Sequence, residues 1–100
     1  MFKLEQDKSQ VKLFGQLNFD TVAQLLNKAE IDFDRAENGE IEVDLSQISR
    51  FNSASLALLI EWMKKADQKG LQIKYHNAPD QLLNIAQAYG FHEELPLTST

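Results

Sequence analysis

Cysteine is absent from the chain. That excludes disulfides and thiolate metal sites, and it suits a reducing compartment. Basic residues are in the minority: 10 Lys and Arg stand against 15 Asp and Glu, a formal net charge of −5. Binding to nucleic acid or to an anionic membrane surface requires a basic face, so both are poor partners for the domain as a whole. The 4 glycines stand singly, which leaves no glycine-rich phosphate loop. The longest unbroken apolar run is Leu56 to Ile60, far short of the ~20 residues of a spanning helix. MFKLEQDKSQ at the start alternates and lacks the apolar core of a signal peptide. The expectation is a soluble, cytoplasmic protein that something else must hold if it works at a membrane.

The 2 histidines, His76 and His92, fall on different predicted elements without a ligand spacing around them, so no metal and no cofactor is expected. A serine nucleophile needs a base, and none lies near Ser53 in sequence, so no catalytic residue is assigned and an enzyme is not expected.

A hydrophobic fraction of 43% with 25% charged residues is enough for one packed core. The 100 residues read as a single domain, 1–100. Phe2 and Leu4 alternate with Lys3 and Glu5, and Val11 and Leu13 alternate again after the turn Asp7-Lys8-Ser9. This is an antiparallel hairpin by period. Val22, Leu25, Leu26 and Ala29 then recur at helical spacing behind Asn18 or Asp20, which predicts a helix over about 19–30. A polar loop turns at Asn38-Gly39.

Ile41, Val43 and Leu45 predict a third strand, Ser46 to Ser49 a polar turn, and Ser53 to Lys69 a helix stopped by Gly70. Leu71, Ile73 and Tyr75 predict a fourth strand. A last helix opens near Pro79, turns Leu82, Ile85, Ala86 and Tyr89 to one face, and ends at Gly90. The tail after it carries a few apolar anchors. The order β-β-α-β-α-β-α predicts an α/β fold: a mixed sheet of about four strands packed with three to four helices.

The chain is organised around residues 41–63, where a strand runs through a turn into a helix. Such a join aims backbone N–H groups and a hydroxyl at one spot. Ser53 there is either an ordinary N-cap or a functional hydroxyl. Centring the helix's core face on Leu56 places Leu59, Ile60 and Met63 within the core stripe. Leu58 and Trp62 then fall opposite, beside Ala54, Glu61 and Lys65, covered either by another segment or by a partner for which Trp62 is the anchor.

VDLSQISRFNSASLALLIEWMKKADQKG resembles the signature of STAS domains, the domains of sulfate transporters and anti-sigma-factor antagonists. Val43-Asp44-Leu45-Ser46 matches the family's strand end, and Asn52-Ser53-Ala54-Ser55-Leu56 its loop. Leu82, Ala86, Tyr89, Gly90 and Phe91 are similar to a segment of the stand-alone form that serves bacterial phospholipid ABC transporters. The resemblance implies a non-enzymatic partner: a protein peripheral on the cytoplasmic face of the inner membrane, bound to the ATPase subunit and supporting its assembly and activity in maintaining lipid asymmetry. The contact surface it implies is the Ser53 loop and the helix after it, so the partner-binding candidates are Asn52, Ser53, Ala54, Ser55, Leu58, Glu61, Trp62 and Lys65. The alternative is an anti-sigma-factor antagonist phosphorylated on Ser53 by a partner kinase. The chain departs from the pattern at Asn52, usually acidic, and at Ser55, usually glycine. The loss of the acid speaks against the phosphorylation switch but leaves docking intact.

Overall fold

The computed structural model describes residues 2–16, Asp20, Ala23 and 31–91. The helix expected over 19–30 lies outside the described residues except for Asp20 and Ala23, both helical; His92 and the tail lie outside them as well.

Four strands form one sheet in the order β1-β2-β3-β4: β1 (Phe2–Asp7), β2 (Gln10–Gln16), β3 (Glu40–Arg50) and β4 (Gln72–His76). The hairpin pairs antiparallel, Leu4 opposite Leu13, around a turn in which Lys8 takes a positive φ of 56°. β3 runs parallel to β2 on one side and to β4 on the other. The Asn38-Gly39 turn is present, both residues at positive φ and the flanking Glu37 and Glu40 exchanging two backbone hydrogen bonds, as asparagine and glycine favour.

β3 runs through the segment read as a polar turn. Lys12 pairs with Asp44 but Phe14 with Gln47, so β3 carries one extra residue against β2 there, and a second follows between Ile48 and Arg50. The first bulge breaks the alternation. Leu45 and Ile48, three apart, both point inward, and Ser46 and Gln47 are exposed between them.

Val11, Leu13, Ile41, Val43, Leu45, Ile73 and Tyr75 make the inward face of the sheet, all nearly or fully buried. The alternate residues, Gln10, Lys12, Glu42, Asp44, Lys74 and His76, make a polar face laced by ion pairs and hydrogen bonds. Two α-helices complete the core among the described residues, with a 3-10 turn at Phe33–Arg35. They are α1 (Ser53–Gln68) and α2 (Asp80–Ala88). Each stops the same way. Gly70 at φ +70° follows α1, and the N–H groups of Gly70 and Leu71 donate to the carbonyls of Asp67 and Ala66. Gly90 and Phe91 repeat the arrangement on Gln87 and Ala86. A left-handed residue is needed there, and glycine adopts it without steric cost. α2 buries Leu82 and Ala86 as the periodicity predicts, but Tyr89 is 60% exposed, because it lies past the last turn where the chain reverses.

The phase of α1 differs from the expectation. Leu58 and Trp62, expected on the outer side, are fully buried. The buried stripe is Ser55, Leu58, Leu59, Trp62 and Ala66, about a quarter-turn from one centred on Leu56. Leu56 stays in the core at its margin, while Ile60 and Met63 are only partly buried. The phenol of Tyr75 donates to the Leu59 carbonyl at 2.6 Å and ties α1 to β4 from within; burial pushes its ionisation well up.

Candidate functional site

α1 begins where β3 ends, and the residues between decide what is presented. Asn52, in extended conformation, is the N-cap. Its Oδ1 accepts from the N–H of Ala54 at 2.9 Å and of Ser55 at 3.2 Å. Ser55 Oγ in turn accepts from the Asn52 N–H at 3.0 Å. This is a reciprocal capping box, with serine in the place glutamate or glutamine more often takes. Ser53 is therefore not the cap. It is the first residue inside the helix, exposed, and not needed to satisfy the helix start.

Of the candidate contact residues, Ser53 is exposed, and Asn52, Glu61 and Lys65 are partly so. Ala54, Ser55, Leu58 and Trp62 are buried and cannot touch a partner without unfolding the helix from its core. Ser55 is consumed by the cap, and Ala54, Leu58 and Trp62 belong to the hydrophobic core. Their place on the surface is taken by residues the sequence reading passed over. Ser53, Ala57, Ile60 and Lys64 recur at i, i+4, i+7 and i+11, so they line one outward strip. Ser53, Ala57 and Lys64 are exposed, and Ile60 is half-buried. The signal that could have found them was the converse stripe: Ser55, Leu59, Trp62 and Ala66, spaced four, three and four.

The strip is small and short-chained near Ser53 and charged at its far end. It offers a hydroxyl, a methyl, an isoleucine edge, and Glu61 and Lys64. Such a surface can dock against another protein by shape and hydrogen bonds. It supplies no base to activate Ser53. Among the described residues no cluster of three metal-ligating side chains occurs. His76 instead meets Glu42 at 2.9 Å on the polar sheet face, and Gln10 donates to the same carboxylate from the other side. The hydrogen bond from Gln10, then that from His76, holds Glu42 below the usual carboxylate range. Burial pushes Asp44 up, but hydrogen bonds from Asn77 and Ser46 outweigh it and leave that carboxyl lowered too. These carboxylates tie β3 to its neighbours and lie on the outer face of the sheet.

A mixed four-stranded sheet, a serine at the first turn of the helix after the central strand, and helices over one sheet face define a STAS-type α/β domain. The sequence profile described as "Mlab, STAS domain" matches residues 1–98, and the chain belongs to that family. Among curated proteins none matches in sequence. Among solved structures, the anti-sigma factor antagonist SpoIIAA in its unphosphorylated form is similar at a TM-score of 0.69 and 17% identity, over 98% of this chain and 86% of that one. A chain of the Acinetobacter MlaFEDB complex, in an ATP-bound conformation, is similar at a TM-score of 0.65 and 24% identity, over 89% of this chain and 93% of that one. Both likenesses bear on the fold. Among the described residues no helix is long and apolar enough to cross a membrane.

Proposed function

We propose that this chain is a non-enzymatic STAS subunit that docks on the cytoplasmic ATPase of a phospholipid-moving ABC transporter and supports its assembly or activity. The observation that carries the reading is the exposed Ser53–Lys64 strip of α1, opened by a serine that the Asn52 cap leaves free for a partner. Family membership supports the choice of partner. The protein would be peripheral at the inner membrane, held through the ATPase, with no part of its own in the bilayer and no cofactor.

Affinity purification of the tagged chain tests this: an ABC ATPase and its membrane subunits should co-purify in stoichiometric amounts. Ala57→Arg, at an exposed position where substitutions cost the fold within about 0.5 kcal/mol, should abolish the capture and leave thermal unfolding unchanged. The exposed Ser53 hydroxyl also suits a second reading, an anti-sigma-factor antagonist phosphorylated there. Recovery of an anti-sigma kinase with the chain, in place of an ATPase, would establish that reading and end the first.

A further inference from the structure

The β2–β3 ladder ends with Gln16 opposite Arg50, and α1 begins at Ser53. Phe51 lies between, past the ladder, with its ring in the core at 4% exposure. Its backbone N–H and C=O need partners elsewhere. Both find the same side chain, 30 residues away on the first turn of α2: Gln81 Nε2 donates to the Phe51 carbonyl at 3.1 Å, and the Phe51 N–H donates to Gln81 Oε1 at 3.4 Å. One carboxamide thus supplies the donor and acceptor that a neighbouring strand would supply. Gln81 is itself exposed and fills no core space.

We propose that Gln81 is a positioning residue for the docking loop. By holding the Phe51 peptide from α2, it fixes the residue immediately ahead of the Asn52 cap, and so presents Ser53 at one place and angle. The side-chain chemistry is specific. Glutamate keeps an acceptor for the Phe51 N–H but turns an oxygen on the carbonyl. Methionine keeps the shape and loses both bonds. Asparagine is one methylene short. The proposal rests on the docking reading for its consequence, but the clamp is a property of the isolated chain.

The experiment compares wild type, Gln81→Met and Gln81→Glu, each with and without Ser53→Ala. Amide exchange at Phe51, Ala54 and Ser55 is measured on the isolated proteins, and affinity on the purified ABC ATPase. Loss of the clamp in Gln81→Met should speed exchange at Phe51 about tenfold and weaken binding about tenfold, the scale of a lost hydrogen-bond pair, whereas Gln81→Glu, which keeps the acceptor for the Phe51 N–H, should speed exchange less. With Ser53→Ala present, the effect of Gln81→Met on affinity should shrink, because it acts through Ser53. Unchanged exchange in Gln81→Met overturns the clamp. Faster exchange with unchanged affinity, or an equal loss of affinity in both Ser53 backgrounds, overturns the positioning role. A wild-type protein that does not bind the ATPase defeats the docking reading instead, and the exchange rates then decide by themselves whether Gln81 holds the loop.

Discussion

Trp62→Ala should unfold this domain more readily than any surface change on α1. The indole is fully buried, and Leu58 and Leu59 beside it on the helix are equally inaccessible. Truncating a tryptophan in such a site costs about 3–5 kcal/mol, from lost burial and the cavity left behind. In a domain of this size each kcal/mol lowers the midpoint by roughly 4–8 °C, so a fall of at least about 12 °C is expected. A second variant sharpens the test. Among the described residues Trp62 Nε1 has no hydrogen-bond partner, and a buried unpaired donor costs about 1–3 kcal/mol. Trp62→Phe removes that donor while keeping much of the ring, so it should cost less than about half of what Trp62→Ala costs. Leu56→Ala, at the core's margin, serves as reference. The assay is thermal unfolding followed by far-UV circular dichroism, beside pull-down of the ATPase. A Trp62→Ala protein that melts like wild type but no longer binds would refute the burial argument and restore the indole to the surface as a partner anchor.

Asn52→Ala removes the acceptor for two helix-start amides and should cost about 1 kcal/mol in denaturant unfolding, whereas Ser53→Ala should cost almost nothing. Ser53→Asp should leave the fold intact, since a helix N-terminus tolerates negative charge, yet weaken ATPase binding more than Ser53→Ala, because a desolvated carboxylate needs a cation to meet it. Mass spectrometry of the protein from cells should find Ser53 largely unmodified; near-complete phosphorylation would favour the anti-sigma reading. Glu42 is held below its ordinary value of 4.5 by Gln10 and His76. A carboxyl depressed on folding contributes stability above its unfolded value and loses it as pH falls through the folded one. Glu42→Gln should therefore lower stability by a near-constant amount above about pH 4.5, and the difference from wild type should shrink as pH falls below that value, which flattens the acid limb.

Most of the sheet was legible because its signals are local. The hairpin shows in the alternation of Phe2 to Glu5 and Val11 to Leu13, and the helix stops show in Gly70 and Gly90. β3 was read too short because a bulge is set by the partner strand. Ser46 and Gln47 are adjacent polar residues in a strand that bends to stay in register with β2, and in sequence that looks like a turn. The phase of α1 was misread for a different reason. Leu56, Leu58, Leu59, Ile60, Trp62 and Met63 surround most of the helix, so an apolar count alone does not locate the core. Small residues do. Ser55 and Ala66 are buried, and together with Leu59 and Trp62 they mark the buried stripe of the helix.

The two departures from the STAS pattern, Asn52 and Ser55, are one feature in space. Asparagine keeps the acceptor that an acid at the cap would supply, so Ala54 and Ser55 amides remain satisfied without a charge. Serine in place of glycine adds a hydroxyl that a glycine could not offer, and it accepts from the Asn52 N–H. Each residue completes the other's hydrogen bonding inside a nearly closed space, Ser55 being fully buried. The consequence falls on the residue between them. With the cap complete, Ser53 takes no part in it, and the position before it holds Asn52 where the family pattern places an acid. A phosphorylation switch loses a component there. Under the proposed docking role nothing is lost, since the neutral cap still leaves the hydroxyl and the Ala57–Lys64 strip on one exposed side of the helix.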